Sequence, residues 1–375
     1  MSTSKQRPIG VFDSGVGGLT NVRALMERLP MENIVYFGDT ARVPYGTKSR
    51  ATIETFALQI VDFLLEQDVK ALIIACNTIA AVAGQKIRQK AGNMPVLDVI
   101  SAGAEAALST TRNNRIGIIA TNTTVNSNAY ARAIHSRNPD TLVRTQAAAL
   151  LVPLVEEGWL DHEVTRLTAR EYLKPLLVDN IDTLVLGCTH FPLLKPLIRQ
   201  EALDVTLVDS AITTAEAAAK ALAQAGLLNT DNPEPDYRFY VSDIPLRFQT
   251  IGERFLGRSL QQIEMVSLGV AWLAARWAHP AAARAAMSDR PRQRRWTCFM
   301  ELGAFSGREV GEAAASKKRA GCADWAGACG RFHHERCCWK KRSTASISAC
   351  WFTLAWPPAV RAATSCMSAS SVWRW

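Results

Sequence analysis

Cysteine is what most of this sequence does without. Of nine cysteines in 375 residues, only Cys76 and Cys188 fall in the first 275. Two lone thiols make no disulfide framework, and neither has the Cys-x2–4-Cys partner of a structural zinc site. Long apolar runs are missing as well: nothing reaches the roughly 18–20 uninterrupted apolar residues of a membrane span. The stretch MSTSKQRPIGVF lacks the apolar core of a secretory signal, so we expect a cytoplasmic protein with no membrane partner. The net charge of +9 excludes less than it suggests, because residues 276–375 hold 17 Lys and Arg against 6 Asp and Glu. That tail is +11 and the remainder −2, so the charge of the body gives no reason to expect nucleic acid.

What is present is an alternation. PIGVFDSG (8–15), NIVYFGD (33–39), KALIIACNT (70–78) and MPVLDVI (94–100) read as strands. LTNVRALMERL (19–29), ATIETFALQIVDFLLEQ (51–67) and IAAVAGQKIRQKA (79–91) read as helices, the long middle one from apolar spacings of three and four. Such alternation predicts parallel α/β sheets with helices on both faces. The pattern then restarts: RIGIIATNTTVNSNAYARAIHS (115–136) repeats strand, polar loop and helix. Ile9 and Ile116 lie 107 residues apart, and Cys76 and Cys188 lie 112 apart. Two landmarks at nearly one offset suggest an internal duplication. Its pseudo-twofold halves would offer their strand ends to one cleft, where open α/β sheets bind ligands. After VDSAITTAEAAAKALAQAGLL (208–228) come a turn, a strand YRFYVSD (237–243) and a closing helix and strand in 245–268. Beyond about residue 275 the periodicity stops, and eight of the ten tryptophans crowd there.

The chemistry sits where strands end. Gly15-Val16-Gly17-Gly18 invites a nucleotide reading, but the dinucleotide fingerprint wants glycine at Thr20 and the P-loop wants Gly-Lys-Ser/Thr. Asp13 and Ser14 instead stand beside free helix amides, either as caps or as contacts to an anionic ligand. Cys76 is followed by Asn77 and Thr78, and Cys188 by Thr189 and His190. Both thiols can be plain core residues, or reactive groups delivered to a cleft with polar company. Both precede expected helix starts, and His190 can assist Cys188. Glu156 and Glu157 end an apolar run, as solvated helix residues or as a carboxylate near the site.

Taken together, FDSGVGGLT, GDTARVPYG (38–46), ACNT (75–78), IGIIATNTTVNS (116–127), VPLVEEGW (152–159), GCTHFPLL (187–194) and VSDIPLRF resemble the glutamate racemases of the aspartate/glutamate racemase superfamily, over roughly residues 7–269. The resemblance implies two pseudosymmetric α/β domains, 1–98 plus 207–270 and 99–206, with the active site between them. It implies cofactor-independent racemisation of L-glutamate to D-glutamate for peptidoglycan synthesis, with no metal. Cys76 would take the α-proton from D-glutamate and Cys188 from L-glutamate. Asp13 would assist Cys76, and His190 with Glu156, rather than Glu157, would assist Cys188. Asp13, Ser14, Tyr45, Gly46, Asn77, Thr78, Thr121, Thr124, Thr189 and His190 would hold the substrate. Ala148-Ala149 stands where the family often has Cys-Pro, a departure expected to touch packing alone. A homodimer is compatible with all of this.

Other superfamily members (aspartate or hydantoin racemases, maleate isomerases) share these features in part, though GDTARVPYG and CTHFPLL favour glutamate. A racemase-like regulatory protein, including a gyrase partner, is the reading from another class, and the intact cysteine pair argues against it. The basic tail could contact nucleic acid through phosphates. Its Cys322, Cys329, His333, His334, Cys337 and Cys338 could ligate zinc, but their spacing fits no standard site. Its composition resembles out-of-frame translation, and we expect it to be disordered and outside the catalytic fold.

Overall fold

Apolar runs of four to six residues become fully buried strands here. The computed structural model describes residues 4–243, 245–260 and 262–268, so the expectations about the tail at 276–375 lie outside the described residues. All described residues fall in one compact unit. Its strands are β1 (Ile9–Asp13), β2 (Ile34–Gly38), β3 (Ala71–Ile74), β4 (Val96–Asp98), β5 (Arg115–Ala120), β6 (Leu142–Ala147), β7 (Thr183–Gly187), β8 (Thr206–Asp209), β9 (Tyr237–Val241) and β10 (Ile263–Met265). They form two sheets, of order β10-β9-β2-β1-β3-β4 and β6-β5-β7-β8, and every neighbouring pair is parallel.

The helices are α1 (Leu19–Arg28), α2 (Arg50–Glu66), α3 (Asn77–Ala91), α4 (Val99–Thr110), α5 (Asn122–Asn126), α6 (Ala129–His135), α7 (Leu151–Glu156), α8 (Glu163–Val178), α9 (Lys195–Glu201), α10 (Ser210–Gln224) and α11 (Pro245–Leu256). Alternate residues of β1 feed opposite faces of the first sheet: Ile9 and Val11 pack with Leu19, Val22 and Leu25 of α1, and Phe12 with Ile53 and Ile60 of α2. Both faces are apolar, which is why the strands read as continuous rather than alternating runs.

The duplication is visible in topology. Each sheet contains the same order, β2-β1-β3-β4 or β6-β5-β7-β8, and the first adds β9 and β10 at one edge. Ile9 sits opposite Ala71 and Ile116 opposite Thr183. Five residues beyond each partner stand Cys76 and Cys188, so the two thiols occupy equivalent places. Asp98 and Asp209 likewise end β4 and β8, and each caps the next helix by accepting backbone N–H bonds, at 2.9 Å from Ile100 and 2.9 Å from Ala211. Those helices carry the chain between sheets, with α4 packed on β7 and α10 on α1. The second sheet takes β8 from both sides of the 206/207 division expected from the sequence, because Val208 packs into its core with Ile116, Ile118 and Val185.

One local expectation needs correction. Cys76 does precede a helix, as the residue just before α3. Cys188 does not: a 3-10 turn at Phe191–Leu194 intervenes, and α9 begins only at Lys195. Pro192 and Pro196 are the cause. A helix started at Thr189 would place Pro196 in its interior, without the N–H owed to residue 192.

Candidate active site

At the carboxyl ends of β1, β3, β5 and β7 a cavity of about 570 Å³ opens. These are the points where strand order reverses in each sheet, the usual ligand position in open α/β folds. Ser14, Tyr45, Gly46, Cys76, Asn77 and Thr78 line it from the first half. Thr121, Glu156, Cys188, Thr189 and His190 line it from the second. Asp13 and Thr124, also expected from the sequence, sit behind the wall, buried against residues that form it.

Cys76 is 5% exposed, and its Sγ lies 3.5 Å from Ser14 Oγ. Burial, and then the nearby Asp13 charge, push this thiol up to about 12. Burial also raises the Asp13 carboxyl, although its Oδ2 accepts the Gly15 N–H at 2.9 Å. The Gly18 N–H and the Cys76 thiol act on the same carboxyl in the opposite sense to burial.

Cys188, 6% exposed, has a different neighbour. Its Sγ is 3.8 Å from His190 Nδ1, and His190 Nε2 is 3.0 Å from Glu156 Oε1. Burial by itself would push the imidazole down, yet hydrogen bonds to Cys188 and Glu156 and their charges outweigh it and carry His190 up to about 10. The imidazole beside this sulfur therefore holds its proton more firmly than a free one. Glu157 is exposed and takes no part.

Hydroxyls and an amide complete the wall. Thr78, Thr121 and Thr124 form a cluster across the two halves, with Oγ1 separations of 3.0, 3.1 and 3.5 Å. Asn77 Oδ1 accepts from the Tyr130 hydroxyl at 2.7 Å, and its buried Nδ2 has no partner among the described residues. The Tyr45 hydroxyl is turned away, donated to Asp39, so Tyr45 offers the cavity its ring.

The glycine turn serves close approach. A Cβ on Gly17 would lie 2.7 Å from His190 Cε1 and Nδ1, and one on Gly18 would lie 2.5 Å from Asp13 Cβ. Only glycine lets α1 press against both Asp13 and His190. Three residues that sequence reasoning missed support this turn and the wall. Tyr36, wholly buried, donates to Gly15 O at 2.7 Å; Thr20 donates to Thr189 O at 3.1 Å across the halves; Tyr130 aims Asn77. An aromatic in a strand or a threonine in a helix carries no signal of such a contact.

This geometry has relatives. The family described as Asp/Glu/Hydantoin racemase matches residues 20–218. Glutamate racemase from Neisseria meningitidis serogroup C is 85% identical over 265 residues, which cover 71% of this chain and 98% of the relative. Glutamate racemase from Syntrophus aciditrophicus is 64% identical over 262 residues, 70% of this chain and 97% of the relative. The crystal structure of the Francisella tularensis enzyme in complex with D-glutamate superposes with a TM-score of 0.67 at 49% identity, covering 70% of this chain and 98% of that one. The fold, the paired thiols and these likenesses agree, and the chain belongs to the Asp/Glu/Hydantoin racemase family and, within it, to the glutamate racemases.

Proposed function

We propose that the chain racemises glutamate by two-base proton transfer between Cys76 and Cys188, without metal or organic cofactor. One observation carries this reading: two equivalent strand ends, one from each half, bring a thiol each to the same cavity. Inversion at Cα needs a base on one face and an acid on the other. The base takes the Cα proton, the electron pair passes into the substrate carboxylate, and the opposite thiol returns a proton to Cα.

The two thiols differ in a way that suits the task. Cys76, pushed up to about 12, rests protonated and is the acid for L-glutamate. Cys188, beside the His190 imidazole, is the base. With D-glutamate the roles reverse. Asn77 Nδ2, which has no partner among the described residues, and the threonine cluster supply donors for a carboxylate carrying extra charge. Ser14, Gly46 and Thr189 line the same space and would complete the substrate contacts. Among the described residues no helix is long and apolar enough to cross a membrane. A cytoplasmic enzyme supplying D-glutamate for peptidoglycan is the corresponding cellular role.

The test runs both directions in D2O. The native enzyme should give product labelled at Cα from the first turnovers, because the incoming proton comes from the other, solvent-equilibrated thiol. Cys76→Ala and Cys188→Ala should each abolish racemisation of both enantiomers, and Cys→Ser should leave a trace. Retention of the substrate's own proton in product, or a Cys76→Ala enzyme that racemises well, would sink the two-thiol reading.

A further inference from the structure

Helix α11 belongs to the half that carries Cys76, yet it touches the machinery around Cys188. Phe255 meets His190 edge-on, with ring centroids 5.1 Å apart. Arg254 reaches over to α7, where its Nη1 donates to Glu156 O at 3.0 Å and to Val155 O at 3.3 Å. These carbonyls end α7, where its dipole favours a cation; Val155 O also accepts the Gly158 N–H at 3.0 Å, while Glu156 O is among the last carbonyls, which have no intrahelical donor. The next residues leave room for this contact. Gly158 has φ +81°, and a Cβ there would lie 2.8 Å from Arg254 Nη2. A positive-φ glycine is thus packed directly under the guanidinium, so the contact is built into the turn.

We propose that Arg254 is a positioning residue for proton transfer at Cys188: by holding the end of α7 across the cleft, it fixes Glu156 against His190 and His190 against the sulfur. The chain of contacts is continuous, from Arg254 to the Glu156 backbone, Glu156 Oε1 to His190 Nε2, and His190 Nδ1 to Cys188 Sγ. Arg254 is not itself among the residues lining the cavity and meets the wall only at the backbone of Glu156, so it acts through its neighbours. The inference rests on the two-thiol reading above. Among the described residues, the titratable groups facing His190 are Cys188, Glu156 and, at longer range, Asp13, with the Arg254 cation on the Glu156 backbone behind them. Of these only Glu156 is held by Arg254, so loss of the arginine should alter one partner and leave two.

The experiment compares Arg254→Ala, Arg254→Lys and Cys188→Ala with the native full-length chain. Racemisation has an equilibrium constant of one, so kcat/KM must fall equally for both enantiomers. With Arg254→Ala that fall should be roughly 10- to 100-fold, the scale of a misplaced catalytic group. The His190 imidazole resonance, assigned by its loss in His190→Asn, should titrate at lower pH in Arg254→Ala, while Arg254→Lys restores part of both effects. A fall in kcat/KM with His190 titrating as in the native protein would reduce Arg254 to a structural contact and overturn the proposal. Unchanged kcat/KM would overturn it too. An active Cys188→Ala enzyme would overturn both this inference and the two-thiol reading. An inactive one, beside an Arg254→Ala enzyme with native titration, would overturn this inference alone.

Discussion

His190 holds its proton because two partners want it there, and folding supplies both. Its folded value of about 10 lies above the ordinary 6.5, so between those values the folded chain binds a proton that the unfolded chain does not. Stability gained from that proton is fully present below about 6.5 and is lost as pH rises through about 10. The melting temperature of the native protein should therefore exceed that of His190→Asn most near pH 6.5, and the gap should shrink steadily towards pH 10. Thermal unfolding of both proteins across this range decides it; a gap that stays level or widens with pH would contradict the coupling. The histidine and its cysteine are legible in the motif GCTHFPLL. The choice of Glu156 over Glu157 came only from family resemblance, because adjacent glutamates look alike until the last turn of α7 points one inward. Tyr36, Thr20 and Tyr130 were not legible at all. Each acts through one hydrogen bond to a segment distant in sequence, and no local pattern encodes such a bond.

Between residues and the whole lies the glycine turn that leads into α1. Strand, turn and helix were plain from composition and spacing. The purpose of the turn was not, since glycine-rich turns cradle phosphate as readily as they permit close packing. Here the neighbours decide: Gly17 gives way to His190 and Thr189, and Gly18 to Asp13 and Tyr36. Gly17→Ala should push His190 away from Cys188, because the new methyl sits between helix backbone and a buried ring with little freedom to move. Overpacking of this kind costs about 1–3 kcal/mol. The activity loss should be larger than the stability loss implies, roughly 100-fold in kcat/KM, since the proposed two-thiol reaction relies on the displaced group. A Gly17→Ala enzyme with native kcat/KM would show that the close approach has no catalytic meaning. The late start of α9 was legible in principle, in Pro192 and Pro196, but two prolines four residues apart allow several turn geometries.

Across the whole molecule the duplication was the most readable feature, for a physical reason. Parallel strands buried on both faces must be apolar throughout, so each half left a similar string of runs and polar ends. The two-sheet cleft followed from that repetition, whereas the exact point at which the chain passes from one sheet to the other, within or after β8, had no marker beyond a capping aspartate. The same scale separates body from tail. Among the described residues, those lining the cavity run from Ser14 to Ile251. The 265 residues matched in the Neisseria meningitidis enzyme make up 98% of that relative but 71% of this chain. What such a relative needs in order to fold and turn over is therefore accounted for by the part of this chain that it matches. A chain ended after residue 275 should keep kcat/KM within about twofold, the scale of ordinary surface changes, and should keep its main melting transition. Racemisation and calorimetry of the shortened and full-length chains, side by side, provide the test. Loss of activity or of that transition on shortening would mean that the last hundred residues contribute to the catalytic fold, and the two-sheet body could no longer be treated as sufficient.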